Sequence, residues 1–191
     1  MCRLVIVWAI LGLLLRSSPA LARPPDFSPL IEHHDVRLTL RGIAQLRVGY
    51  VFRVFWAALH VGENHPTDDV LDDVPTRLEI VYLRAIRASD LIRAGDDALR
   101  RQVAPDEIER LQPLLDAINR LYQDVRAGDR YTLTYLPAWG CELALNGRTL
   151  GRIEGANFAS AYFGIWLDPR TPNKEILSNV VDGSVMSWSF W

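Results

Sequence analysis

Hydrophobic and polar positions alternate over short stretches early in the chain, a pattern typical of β-strands. Val36–Leu40 alternates strictly and predicts a half-buried strand that ends at Gly42. Gln45–Val61 is rich in Val, Phe, Tyr and Trp with apolar residues at both parities. We interpret it as one long strand, bulged at Gly49 and covered on both faces. Arg77–Leu83 predicts a third strand.

Two later segments follow the period of a helix instead. Ser89 is a suitable N-cap for a helix that runs to about Gln102. Pro105 opens a second helix with apolar residues on one side, and we expect Pro113 to kink or divide it because proline donates no amide hydrogen bond. Ala156–Leu167 is apolar all round, which predicts a buried helix.

The last third of the chain also predicts three short strands, namely Tyr131–Leu136, Cys141–Leu145 and Arg148–Ile153. Asn146-Gly147 joins the last two and is a strong signal for a two-residue hairpin. Beyond them, Pro172 can start a final helix through Val181. The aromatic tail Val185–Trp191 is interpreted as a packed or edge strand, the alternative being a membrane-surface or partner contact.

The first 22 residues have the three parts of a secretory signal peptide: Arg3, an apolar run Leu4–Leu15, and a small-residue end at Ala22. An uncleaved anchor is the alternative, but about 12 apolar residues fall short of the roughly 20 that span a bilayer. We therefore expect cleavage after Ala22, a periplasmic or secreted protein, and one domain over residues 23–191. No later stretch is long and apolar enough to cross a membrane.

Composition and charge exclude some partners. The chain has 21 Lys and Arg against 23 Asp and Glu, a net charge of −2, and no long basic stretch. Loss of Arg3 and Arg16 with the signal peptide leaves 19 cations against 23 anions, a net charge of −4. Nucleic acid is not expected as a partner. Lys174 is the one lysine of the sequence, and arginine is well shaped to bind carboxylates.

The sequence predicts neither a metal site nor a cofactor. Cys2 leaves with the signal peptide, so Cys141 stands alone and is interpreted as a small buried hydrophobe. His33 and His34 do not form a chelating pair by spacing alone. The acidic stretch 68–73 lacks the spacing of a calcium loop and is better explained as a solvated surface.

Candidate site chemistry comes from arginines among apolar residues. Arg53 shares its parity with Phe55 on the long predicted strand, which suits a cleft for an apolar ligand with one anionic end. Arg41 is a second candidate for the anionic end, and the alternative is that Arg47 and Arg53 extend from a packed strand into water. The sequence lacks the usual catalytic motifs, and a core or surface role is the more natural one for His60.

Three runs of residues resemble the bacterial chalcone isomerase-like proteins: Gly128–Pro137, Asn146–Ile153 and Asn157–Leu167. The resemblance covers roughly residues 36–182. It implies an α+β fold, an open-faced β-sandwich in which a large antiparallel sheet packs against helices and a cleft lies between them. Spacing alone gives an α+β chain with an antiparallel sheet.

Plant enzymes of this fold close a chalcone to a flavanone, and related members bind fatty acids without catalysis. The resemblance places their site arginine at about Ala44, their threonine at about Phe55, and their tyrosine and asparagine at about Leu91 and Ala98. All four positions depart from the pattern. Because the cyclisation needs a cation for the phenolate and donors for the developing enolate, flavanone synthesis is not expected.

We therefore expect an exported protein that binds a small apolar ligand, such as a fatty acid or an aromatic acid, through Arg41, Arg53 and Phe55. Catalytic residues and cofactors are not expected. One alternative is an isomerase, an intramolecular lyase acting on an unknown substrate through a differently placed acid or base. Another is a structural or interaction protein that uses the aromatic tail. The sequence identifies no protein partner.

Overall fold

The computed structural model describes residues 24–48, 52–65, 70–167 and 186–187. Seven strands lie in sequence order in one antiparallel sheet, and an eighth short strand pairs parallel with the second. The strands are β1 Leu30–His33, β2 Val36–Val48, β3 Phe52–Gly62, β4 Thr76–Tyr82, β5 Arg130–Leu136, β6 Gly140–Leu145, β7 Arg148–Ile153 and β8 Met186–Ser187. The helices are α1 Ala88–Gln102, α2 Pro105–Asn119 and α3 Ala156–Leu167.

The single long strand predicted over Gln45–Val61 is wrong. Val48 pairs with Phe52, and the antiparallel pairing continues to Leu38 opposite Gly62, so the chain reverses between β2 and β3. The strand predicted to end at Gly42 instead continues through it, with a register shift between Leu40 and Gly42. A bulge at Arg41 explains this, because Arg41 has no partner in the ladder and pairing resumes at Gly42, opposite Leu59.

The sheet has two faces with different coverings. One face, called here the helix-facing side, carries Phe55, Leu78 and Leu133 into the main core with the helices. The opposite face, called here the second face, carries a smaller core around Trp56 and Phe27. It also buries polar groups, among them His60 and Glu79.

The sheet is strongly curled. Four strands separate β1 from β6 in the sheet, yet Nε2 of His33 lies 3.5 Å from Oε1 of Glu142. The segment before β1 crosses the strands of this sheet. Arg130 on β5 donates to the carbonyl of Asp26 at 2.9 Å, and Nε2 of His60 on β3 lies 2.9 Å from the carbonyl oxygen of Ser28. The first residues of the described chain therefore cover the second face.

Both long helices differ in detail from the prediction. Ser89 is not the cap of α1, which starts at Ala88 with its amide donating to Asp124 at 2.8 Å. Pro113 neither divides α2 nor ends it, since the helix runs unbroken from Pro105 to Asn119. The buried stripe explains this continuity, because four apolar side chains of α2 pack in the core on both sides of the proline.

Other elements match the prediction closely. Asn146 and Gly147 have φ values of 51° and 79°, as a two-residue hairpin turn requires. Helix α3 spans Ala156–Leu167 and is mostly buried. Cys141 is fully buried, and burial raises the pKa of its thiol to about 12.

Several predicted features lie outside the described residues. These are the signal segment 1–22, the helix proposed for 172–181 and most of the aromatic tail. Of that tail, Met186–Ser187 is described, and it adds to β2 at Ala44 and Gln45. Within the described ranges no helix combines the length and apolar character needed to span a membrane.

Candidate functional site

A cavity of about 600 Å³ lies between the helix-facing side of the sheet and helices α1 and α3. Its size falls within the roughly 300–1,000 Å³ that is usual for small-molecule sites. Antiparallel strands β3 to β6 supply its floor, with one apolar side chain every second residue. The cavity floor therefore follows from the alternation of side chains between the two faces of these strands.

Most of the cavity wall is apolar. The floor is built by Phe55, Leu78, Ile80, Leu133 and Leu143, and the helices contribute Leu91, Ala98, Ile165 and Trp166. Ring contacts fix the aromatic part, since the Phe55 ring centroid lies 5.6 Å from that of Trp166 and 6.0 Å from that of Tyr82. Both pairs are edge-to-face, the arrangement that aromatic rings prefer.

Four tyrosines give the cavity its neutral hydrogen-bonding groups: Tyr82, Tyr122, Tyr131 and Tyr162. The hydroxyl oxygens of Tyr122 and Tyr162 lie 2.9 Å apart in a hydrogen bond that joins the end of α2 to α3. Burial raises the pKa of Tyr122 to about 12 and also raises the pKa values of the other three. All four phenols are therefore protonated at neutral pH.

Charged groups lie along α1. Arg101 is exposed and lines the cavity, and no hydrogen bond or ion pair of its guanidinium is found among the described residues. Asp90 is engaged by Arg87 at 3.2 Å and by Arg93 at 2.9 Å. Asp97 is exposed on the same helix. Arg101 is thus the one cation among the lining residues that the structure describes.

Gln102 fixes the end of α1 against α3. With its side-chain amide oriented to satisfy both neighbours, it donates to the carbonyl of Gly164 and accepts from the amide of Ile165, each at 3.0 Å. The contact positions Arg101 at the edge of the cavity, because the two residues are adjacent on the last turn of α1.

The structure separates the three residues that the sequence suggested for ligand binding. Phe55 lies on the cavity wall. Arg41 does not line it: its guanidinium donates to the backbone carbonyl of His65 at 2.9 Å. Arg53 is exposed and is likewise not among the described lining residues. Ligand binding by the two arginines stays a prediction, and the position of the cavity does not favour it.

The family-implied positions fall nearer to the cavity. Phe55, Leu91 and Ala98 all line it, whereas Ala44 is buried in the core nearby. These four positions, which the resemblance matches to polar site residues of the plant enzymes, all carry apolar side chains here. At those positions the wall offers no side-chain hydrogen-bond donor to a developing charge.

Sequence reasoning missed Arg101. The signal was available, because Ala94, Ala98 and Arg101 follow the spacing of one helix face and all three line the cavity. Strand parity drew attention to Arg53 instead. Arginines are common at the C-terminal end of a helix because they complement the helix dipole, so the position of Arg101 alone does not indicate ligand binding.

Comparisons with known proteins agree with this geometry. The model of the chalcone isomerase-like family matches residues 26–178. A crystal structure of a fatty-acid binding protein of Arabidopsis thaliana is similar in fold, with a TM-score of 0.64 and 12% identity over 82% of this chain and 91% of that one. No sequence among the curated proteins matches. The predicted α+β fold, an antiparallel sheet packed against helices, is confirmed.

Proposed function

Because the chain belongs to the chalcone isomerase-like family, we propose that its cavity binds a small amphipathic carboxylate of the fatty-acid class without converting it. One observation carries the proposal: an apolar cavity of about 600 Å³ whose single described lining cation is Arg101. The similar Arabidopsis structure is that of a fatty-acid binding protein, which supports the ligand class.

The apolar floor supplies most of the binding free energy. An alkyl chain laid along Phe55, Leu78 and Leu133 leaves water at about 0.8 kcal/mol for each buried CH₂ group. Arg101 lies at the exposed side of the cavity and offers the carboxylate a charge-assisted hydrogen bond. The tyrosine hydroxyls add neutral donors deeper inside.

The lining chemistry supports binding rather than catalysis. A proton-transferring catalyst at neutral pH needs a group whose pKa lies near 7. The described lining residues include no His, Cys or Lys, and burial moves the tyrosine pKa values further from neutrality. Only the carboxylates of Asp90 and Asp97 remain, and Asp90 is already held by two arginines.

Blocking the cavity tests the proposal. Ala98→Trp places an indole into the space between α1 and the floor, whereas Ala156→Trp, on the exposed start of α3, adds the same group outside it. We expect palmitate binding, measured by calorimetry, to weaken at least about tenfold in the first variant, which is about 1.4 kcal/mol. The second should bind as the unmodified chain does. Equal affinities in all three proteins would refute binding in this cavity.

We also propose that the protein acts outside the cytoplasm, in the periplasm or as a secreted protein. The support is the charged, apolar and small-residue order of the first 22 residues. Expression of the full chain in bacteria, followed by fractionation and N-terminal sequencing, should give a chain that begins at Arg23. Recovery of the full-length chain in the cytoplasm would contradict this proposal and leave the binding proposal intact.

A further inference from the structure

The turn between β1 and β2 brings two histidines together. His33 ends β1, and His34 and Asp35 form the turn with φ values of 48° and 62°. In this left-handed conformation the imidazole rings of His33 and His34 meet edge to face, with centroids 4.6 Å apart. Spacing alone did not predict this pair, because neighbouring residues of a regular strand or helix point apart.

The curl of the sheet adds a carboxylate to the pair. Oε1 of Glu142, on β6, lies 3.5 Å from Nε2 of His33. One ligand atom from each of His33, His34 and Glu142 can be chosen so that all three lie within 4.8 Å of one another. Nε2 of His33 is buried and makes no hydrogen bond within the described part of the chain.

The surroundings hold His34 in place. The His34 ring centroid lies 4.8 Å from that of Trp139, which follows β5. The guanidinium of Arg152 stacks on the Trp139 ring, 4.4 Å from its centroid. The nearby cations are largely balanced, since Arg152 pairs with Glu154 and Arg77 pairs with Glu79. Glu142 is thus left as the carboxylate of the cluster.

Two imidazoles and one carboxylate are a set that zinc accepts, with bonds of about 2.0–2.2 Å to each. A tetrahedral site of that size separates its ligand atoms by about 3.4 Å. His33 and Glu142 are already near that separation, and the remaining ligand-atom distances, which are at most 4.8 Å, have to shorten when the metal binds. His34 is exposed, and its ring contact with Trp139 would have to shift when the metal binds.

We propose that His33, His34 and Glu142 bind a divalent transition-metal ion, best fitted by zinc, with water completing the coordination. Glu142 adjoins the cavity residue Leu143 on β6, but neighbouring side chains of a strand point to opposite faces, so the site lies on the second face, across the sheet from the cavity. Metal binding would fasten the β1–β2 turn to β6, two elements that are not hydrogen-bonded to each other. A ligand that binds only the folded chain stabilises it, so the metal should raise the melting temperature.

Zinc titration of a chain without an affinity tag tests the site. We expect one zinc per chain by calorimetry and elemental analysis, and a cobalt complex whose visible spectrum indicates tetrahedral coordination. His34→Asn keeps a residue that tolerates the left-handed turn and removes the imidazole. Glu142→Gln removes the charge at nearly constant shape. Each variant should lower the affinity for zinc at least about tenfold, or about 1.4 kcal/mol, and abolish the zinc-dependent rise in melting temperature.

His65→Ala is the matched control, because His65 is a half-buried histidine outside the cluster. It should retain the zinc affinity of the unmodified chain. Unchanged affinity in His34→Asn and Glu142→Gln would overturn the proposal, as would equal weakening in His65→Ala. Circular dichroism without metal identifies a variant that fails to fold. In that case Glu142→Asp replaces it: this variant keeps the carboxylate and should still bind zinc, and loss of zinc binding in a folded Glu142→Asp chain would count against the site.

Discussion

Glu79 lies at the centre of a buried charged cluster on the second face of the sheet. Its side chain is 4% exposed and accepts hydrogen bonds from Arg77, at 3.0 Å, and from Arg130. Each arginine is also held elsewhere, Arg77 by Thr134 and Arg130 by the carbonyl of Asp26. Removing the carboxylate would leave two guanidinium groups without their counter-charge.

We expect Glu79→Ala to lower the free energy of unfolding by about 3–5 kcal/mol, the usual cost of breaking a buried ion pair from one side. Glu63→Ala is the comparison, because Glu63 pairs with Arg37 on the surface and should cost about 0–1 kcal/mol. Urea denaturation measures both. Equal losses would mean that the cluster contributes no more than a solvated pair. If Glu79→Ala does not fold, Glu79→Gln gives the same comparison with less disruption.

Arg101 is the residue on which the ligand class depends. We expect Arg101→Gln to lower the affinity for palmitate about three- to tenfold, since the lost hydrogen bond involves a charged group but lies at an exposed site. Hexadecanol, which has the same chain and no charge, should bind both proteins alike. Arg100→Gln is the control, because Arg100 is exposed on the same turn but is not among the described lining residues. Equal losses for acid and alcohol would exclude a carboxylate at Arg101.

At the scale of elements, two β-turn regions of the last third depend on glycine to different degrees. Gly147 has φ of 79°, and a Cβ there would meet nothing within 4 Å. Gly140, at the start of β6, has φ of 105°, and a Cβ would lie 2.5 Å from the carbonyl oxygen of Ile153. A side chain at Gly147 is opposed only by the positive φ. A side chain at Gly140 is opposed by the positive φ and also by a clash with strand β7.

We therefore expect Gly147→Ala to cost about 1–2 kcal/mol of unfolding free energy, and Gly140→Ala to cost more. Gly95→Ala provides the opposite sign, because Gly95 lies inside α1 with open space around it and should gain about 0.5–1 kcal/mol. Thermal or urea unfolding ranks the three variants. A larger loss at Gly147 than at Gly140 would contradict this account of the β6–β7 packing.

The whole molecule should lose stability in alkaline solution. An unfolded tyrosine has a pKa of about 10, whereas burial holds Tyr122 at about 12 in the fold and also raises the pKa values of Tyr82 and Tyr162. Between these values the unfolded chain gives up protons that the folded chain keeps. The free energy of unfolding then falls by about 1.4 kcal/mol per pH unit for each such group.

Urea midpoints should therefore begin to fall above about pH 8.5, where the thiol of Cys141 ionises in the unfolded chain, and fall more steeply above about pH 10, where the tyrosines add to the effect. Tyr122→Phe removes one of the buried phenols and should show a shallower fall above pH 10, although it also loses the hydrogen bond to Tyr162. A midpoint that is independent of pH up to about 11 would show that these hydroxyls ionise as freely in the fold as in the unfolded chain.

Local sequence patterns predicted most of the helices and strands. The errors lie where the structure depends on contacts between distant parts of the chain. Asn146-Gly147 marks its hairpin because the turn needs two residues that tolerate positive φ, a purely local demand. The reversal between Val48 and Phe52 carries no comparable signal, since apolar residues continue on both sides of it. The continuity of α2 through Pro113 depends on burial of its stripe, which the proline position alone does not reveal.

The candidate sites were less predictable than the fold. Phe55 was found through strand parity, and it does line the cavity. Arg101 lies on a helix between β4 and β5 in the sequence, so its place at the cavity depends on how α1 docks on the sheet. Glu142 reaches His33 only because the sheet curls, a property of many strands together rather than of either segment.

The contact between His33 and Glu142 also bears on the order in which the protein is made. A ribosome adds about 5–20 residues per second, so the N-terminal strand emerges roughly 5–20 s before its partner on β6 exists. The contact between β1 and β6 therefore cannot form until β6 has been synthesised, long after β1 can pair with β2. The closure of the curl is thus a late event that joins residues 109 positions apart, whereas the pairing of β1 with β2 needs only neighbouring segments.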